Sequence, residues 1–349
     1  MSTSRRPRRW TLPLAALAVL ALLLAGCGGD DEGSGGGKAS GGAPKTIRIA
    51  YQAIPNGDLV VKHEKYLEKA FPDSKIEWKL FDSGGTVNEA VAARAVDFGL
   101  AGSSPVSRGL STPLPYKVPW IHDVIGKAEA LVVKPEITSF ADLKGKKIAT
   151  PLASTSHLAL LAALDKEGID QKDVDIIDAE PDDIYAAWTR GDIDGAYVWN
   201  PNLAKLKSEG GKFLVDSEQL ANEGVIKTYD LAVVSNDFAD KYPDAVATWA
   251  KQQDKAVKLI KSDEQKAAAD IAAELSIKPE EAAAQMKDLI YLDAGEQASA
   301  ENLGGDLAKN LFESAKINQK LGQIPEVPSE DTFTKGVDAS FAQKASGGS

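Results

Sequence analysis

Two short runs carry the hydroxyls best placed for chemistry. In Gly102-Ser103-Ser104-Pro105 a serine precedes a proline, as in a helix N-cap followed by proline in the first turn. In Ser154-Thr155-Ser156-His157, just before an apolar stretch, a second helix start is rich in hydroxyls. A helix N-terminus leaves backbone N–H groups free and carries a partial positive charge. Two such starts aimed into one cleft make a site for an anion, with no lysine or arginine obligatory. The alternative is capping that serves helix stability alone, and for His157 capping or simple packing.

Other chemistries find little material. The single cysteine, Cys27, excludes an intrachain disulfide and a cysteine-based zinc cluster. His63, His122 and His157 lie far apart with no ligand spacing. There is no G-x-S-x-G elbow, and no acid is placed to orient His157, so no catalytic residue, metal or cofactor is expected. The formal net charge is −11, and the first 26 residues hold four arginines and no acid, so the remainder is more acidic still. Such a body excludes nucleic acid as a partner.

The elements that must position these groups follow from periodicity. With 349 residues, 43% of them hydrophobic and 26% charged, the chain has the balance of about two globular domains. Short β-branched runs at 47–51, 76–81, 98–101, 130–133, 147–149, 175–178, 196–199 and 231–234 predict strands. Amphipathic stretches at 87–94, 157–167, 183–189 and 202–208 predict helices between them, and beyond Pro243 the pattern is helical to about residue 321. This is an α/β chain, expected to form a parallel-sheet core with a helical C-terminal segment. Residues 94–105 and 190–201 echo each other: an arginine, an Asp-containing turn, a glycine, a strand and a proline. One of these strands ends at Ser103-Ser104, the other at Trp199-Asn200. Ligands of open α/β sheets bind beyond strand carboxyl ends, so two lobes facing one cleft are expected.

The N-terminus reads as an address. Arg5, Arg6, Arg8 and Arg9 precede a Leu/Ala/Val run at 14–25 that is shorter than the ~20 residues of a spanning helix. It ends in Leu24-Ala25-Gly26-Cys27, which resembles a bacterial lipobox. That resemblance implies removal of a signal peptide, 1–26, and a diacylglycerol on the Cys27 thiol; an ordinary cysteine is the alternative. Residues 28–44 are mostly Gly, Ser, Ala and Asp, with Glu32, Lys38 and Pro44, and show no apolar period, a tether behind the lipidated cysteine. A frayed tail is expected over 343–349.

Five segments taken in order carry a family resemblance: Phe81-Asp82-Ser83-Gly84, Gly102 to Pro105, Glu129-Ala130-Leu131-Val132-Val133, Ser154 to His157, and the run from Trp188 to Trp199. Together they resemble the taurine- and aliphatic-sulfonate-binding family of bacterial ABC importers, whose nitrate binders share similar turns. The resemblance implies a two-lobed periplasmic-binding-protein type II fold, with lobe I at 45–128 plus 230–342 and lobe II at 129–229. Hinge crossovers would lie near 126–130 and 227–230. The lobes would close on an aminoalkanesulfonate and deliver it to a membrane permease, the protein being a monomer held by its lipid on the extracytoplasmic face. Carried onto this chain, Ser103, Ser104, Thr155, Ser156 and His157 would hold the sulfonate oxygens. Trp199 would wall the two-carbon spacer and Gln52 would add a polar contact. Asp230 is the first candidate for the ammonium and Glu129 the second.

Bland roles remain open: Trp199 as core, Glu129 as an ion-pair partner in a hinge strand, Asp192 and Asp194 as turn formers. The chain departs from the family pattern at Ala95-Val96 and again at 54–58, beside Gln52. Other functions stay open as well: a binder of unsubstituted alkanesulfonates, sulfate esters or nitrate, an enzyme on the same fold, or a tethered sensory or adhesive module.

Overall fold

A computed structural model describes residues 42–347; the expected signal, Cys27 and most of the tether lie outside the described residues. Eleven strands form: β1 (Thr46–Tyr51), β2 (Lys75–Leu80), β3 (Phe98–Gly102), β4 (Tyr116–Ile125), β5 (Glu129–Val133), β6 (Lys147–Thr150), β7 (Asp175–Asp178), β8 (Gly195–Trp199), β9 (Lys212–Asp216), β10 (Tyr229–Ser235) and β11 (Leu289–Ile290). They build two sheets, ordered β11-β4-β10-β3-β1-β2 and β7-β6-β8-β5-β9. The chain passes from the first sheet to the second between Ile125 and Glu129, and returns between Asp216 and Tyr229.

The sheets are mixed, which corrects the expected parallel core. β1 runs parallel to β2 and β3, and β6 runs parallel to β7 and β8. β10 is antiparallel to both β3 and β4, and β5 to both β8 and β9. Strands joined through a helix come out parallel, whereas β5 and β10, the strands that follow a passage between sheets, enter their sheets reversed.

Three of these strands give no sequence signal. β4 contains Pro119 and the polar run His122-Asp123, yet it is buried almost throughout and lies between β10 and β11. Its register with β10 slips between Trp120 and Lys117, where Pro119 has no N–H to offer the ladder. β9 is an edge strand with Phe213 exposed, and β11 is only two residues long.

The helices that matter here begin at strand ends. Gly84–Ala92 follows β2, Ser103–Ser111 leaves β3 directly, and Thr155–Lys166 follows β6. Ser154 caps the last of these, its hydroxyl accepting from the His157 N–H at 3.1 Å, so that helix starts two residues ahead of the expected position. In Ser103–Ser111 the N-cap is Gly102, so Ser104 and Pro105 fall within the first turn and do not form the expected cap. The long C-terminal helix Pro243–Ser262 packs on the first sheet through Trp249, stacked on Phe98 at 4.8 Å between ring centres. Each such buried side chain contributes roughly 1.5–3 kcal/mol. The last helix, Ser340–Ala345, buries Phe341 and Ala342. Among the described residues no helix is long and apolar enough to cross a membrane.

Candidate functional site

A cavity lies between the two sheets, and five sequence-expected residues reach its wall: Gln52, Glu129, Thr155, Trp199 and Asp230. Three helix starts converge on it, those at Gly84, at Gly102 with Pro105, and at Ser154 with Thr155. Their approach depends on glycine. A Cβ on Gly84 would stand 2.7 Å from Pro105 Cγ, and one on Gly102 would stand 2.5 Å from Thr155 Cγ2. The second contact joins the end of β3 to the helix behind β6, so it bridges the two sheets.

The hydroxyls of the third start are engaged by a carboxylate. Glu129 opens β5 directly opposite Trp199 on β8 and is fully buried. Its Oε2 accepts from Thr155 Oγ1 at 2.5 Å and Ser156 Oγ at 2.9 Å, and its Oε1 accepts from Ser217 Oγ at 2.7 Å. Burial raises the Glu129 pKa, while the three hydroxyl donors pull it back. What those residues can turn toward a ligand is their backbone at a helix start.

Asp230 stands on β10 with burial and the nearby charge of Glu129 pushing its pKa up to about 7. Directly across the β4–β10 ladder is Asp123, also buried, whose pKa is driven well above the carboxylate range by burial and by Asp230. The wall holds no lysine or arginine. Gln52 fixes itself by donating from Nε2 to the Leu100 carbonyl at 2.9 Å, and half-buried Trp199 supplies the apolar face.

Four of the expected anion holders stand outside the wall: Ser156, whose hydroxyl is held by Glu129, and Ser103, Ser104 and His157. Ser103 turns its hydroxyl to β10, where it accepts from the Tyr229 N–H at 3.2 Å. Ser104 is buried in the first turn of its helix. Burial and the Arg108 charge lower the His157 pKa to about 4, so its ring is neutral at physiological pH. Asp192 and Asp194 are structural: the first pairs with Arg190 at 2.7 Å, the second accepts from the Lys147 N–H at 2.8 Å.

Residues 75–267 match the family described as NMT1/THI5 like. The chain is 35% identical over 303 residues to the taurine-binding periplasmic protein of Escherichia coli K12, covering 85% of this chain and 92% of that one. That decides the lineage. The chain belongs to the NMT1/THI5-like family. A putative aliphatic sulfonates-binding protein of Bacillus subtilis is 30% identical over 249 residues, 70% of this chain and 72% of its own. Among solved structures, the alkanesulfonate-binding protein from Xanthomonas axonopodis pv. citri, bound to MOPS, superimposes with a TM-score of 0.69 at 23% identity, over 82% of this chain and 96% of that one. This NMT1/THI5-like chain therefore has the periplasmic solute-binding fold with its helical C-terminal part.

Sequence reading of this NMT1/THI5-like protein missed Asp123, Asn56, Ser217 and the helix start at Gly84. Asn56 lies in the segment 54–58 that departs from the family pattern, and its amide donates to Asp123 Oδ2 at 3.4 Å. In the same segment Asp58 accepts from Gln253 at 2.6 Å and pairs with buried His122 at 3.6 Å. The departure at 54–58 and the unread strand β4 thus meet in space, and the first was the only signal available for the second.

Proposed function

We propose that the protein is the lipid-anchored, extracytoplasmic solute-binding component of an ABC importer. In this reading it closes lobes 45–128 plus 230–342 and 129–229 on taurine or a related aminoalkanesulfonate and passes it to a membrane permease. The observation that carries this is the composition of one cavity wall: three helix starts, two carboxylates, an indole face and no cationic side chain. A sulfonate presents three oxygens that want donors, which helix N-termini supply. An ammonium wants an anion, and Asp230 is the carboxylate not already held by three hydroxyls. Thr155 and Ser156 then serve the sulfonate from the backbone while their hydroxyls hold Glu129. Trp199 packs against the two-carbon spacer. The 35% identity to the taurine-binding protein of Escherichia coli supports this ligand class, and the relatives' names as binding proteins support a role without catalysis.

Unsubstituted alkanesulfonates are the second reading, favoured by the similarity to the alkanesulfonate-binding structure. Such a ligand leaves Asp230 buried and unpaired, which is costly when the group is ionised. Isothermal titration of the purified protein with taurine, ethanesulfonate and ethylamine decides between them. Taurine is expected to bind near 1 μM, about 8 kcal/mol, with the other two much weaker. Equal heats from taurine and ethanesulfonate would move the ligand class to alkanesulfonates, and silence from all three would remove the reading.

A further inference from the structure

Two buried aspartates face each other where β4 and β10 pair. Asp123 and Asp230 are register partners on antiparallel strands, which places their Cα atoms roughly 5 Å apart. Only Asp230 reaches the cavity wall. Asp123 is 0% exposed; Oδ2 receives one long bond from Asn56, and Oδ1 has no donor among the described residues. Two carboxylates so placed do not both ionise without a cation or a proton between them.

Among the described residues no cationic side chain acts on the pair; Arg108, on the helix Ser103–Ser111, faces His157 instead. From β5, Glu129 adds a further carboxylate. From β3, the register partner of Asp230 is Gly102. Past β11, the Tyr291 phenol near Asp123 spends its proton on the Pro55 carbonyl at 2.6 Å, and half-buried Asp288 accepts from Asn200 at 3.2 Å. His122 precedes Asp123 in the strand, so it points to the opposite face, where it pairs with Asp58 from the helix Gly57–His63.

We propose that Asp123 keeps a proton that it donates to Asp230, and that a ligand ammonium displaces the second proton from Asp230 into solvent, coupling capture to proton release. The inference rests on Asp230 being the ammonium partner. Only an O–H bond breaks, and the amine stays protonated throughout. Asp123 is a positioning residue: it acts through Asp230 and fixes the pH at which that carboxylate is free to accept an amine. With Asp230 pushed up to about 7, ligand must compete with a proton below that pH and not above it. Affinity therefore falls about tenfold per pH unit on the acid side and is flat on the alkaline side. Through Asn56 the pair is tied to the segment 54–58.

The test is titration of taurine into the purified full chain from about pH 8 to about pH 5, in two buffers of different ionisation enthalpy at each pH. The expected result is a buffer-dependent heat that reports release approaching one proton per taurine at the acid end, with the tenfold-per-unit loss of affinity below about pH 7. Asp123→Asn still offers Asp230 an N–H and keeps this profile within a few-fold. Asp123→Ala removes the donor and moves the acid limb to higher pH. A merely structural Asp123 would instead lower the melting temperature in both variants and leave the limb where it was. Tight taurine binding with pH-independent affinity and buffer-independent heat overturns the proton exchange but leaves the proposed function standing. Absence of taurine binding at every pH overturns both.

Discussion

At the scale of single residues, Asp230 opposes stability to function. Its carboxyl is pushed up from 3.8 to about 7, first by burial and then by Glu129. The folded state therefore binds this proton more tightly than the unfolded state, and the fold loses stability as pH rises from about 4 through about 7. Asp230→Asn removes that ionisation. Its ligand-free melting temperature should exceed that of the wild type by a few degrees above pH 7, with the gain vanishing near pH 4, as followed by scanning calorimetry. The same change should weaken taurine by roughly 2–5 kcal/mol, the loss seen when one partner of a buried charge pair is truncated. An unchanged taurine affinity would take Asp230 out of the site. A melting difference independent of pH would show that its ionisation does not burden the fold.

At the scale of elements, the site is made by three helix starts brought into contact, and glycine permits the contact. Gly102 is the tightest point, because any Cβ there meets the Thr155 methyl at 2.5 Å across the gap between the sheets. Gly102→Ala should hold the helix Thr155–Lys166 away from β3 and weaken taurine at least roughly tenfold, about 1.4 kcal/mol. Thr155→Ser removes only the offending methyl and keeps the hydroxyl on Glu129, so the double variant should recover most of the affinity. Titration of the four proteins gives the coupling energy directly. Independent, additive effects would mean that the sheets do not meet at this point when ligand is bound.

For the whole molecule, the chain passes between the two sheets at two places, and the proposed lobe closure would turn on them. Gly102 and Thr155 bring the two sheets into contact beside the cavity, so ligand capture is expected to involve movement of the facing walls. Taurine that binds the closed arrangement and not the unfolded chain should stabilise it by about 2.7 kcal/mol at a hundredfold excess over its dissociation constant. The melting temperature should rise accordingly, and small-angle scattering should show a smaller radius of gyration with taurine than without. A thermal shift with no change in radius would place ligand binding in a molecule that is already closed.

The amino-acid sequence by itself determined many of the local features: eight of the strands, where several helices run, and which strand ends carry hydroxyls or an indole. Those depend on residues a few positions apart, and periodicity reports them; it was the family resemblance, carried onto that frame, that picked out Gln52, Glu129, Thr155, Trp199 and Asp230, which now share one wall. Even there the local signal misassigned side chains, because Ser103 answers to β10 and the Thr155 and Ser156 hydroxyls answer to Glu129. Asp123 was out of reach altogether: its strand contains a proline and a charged pair, and it becomes a strand only by being enclosed between β10 and β11. Which carboxylate faces which is set by pairing between segments distant in the chain. Only the tertiary structure decided that, because burial and the neighbours gained on folding change the chemistry of a carboxyl group far more than its sequence neighbours do.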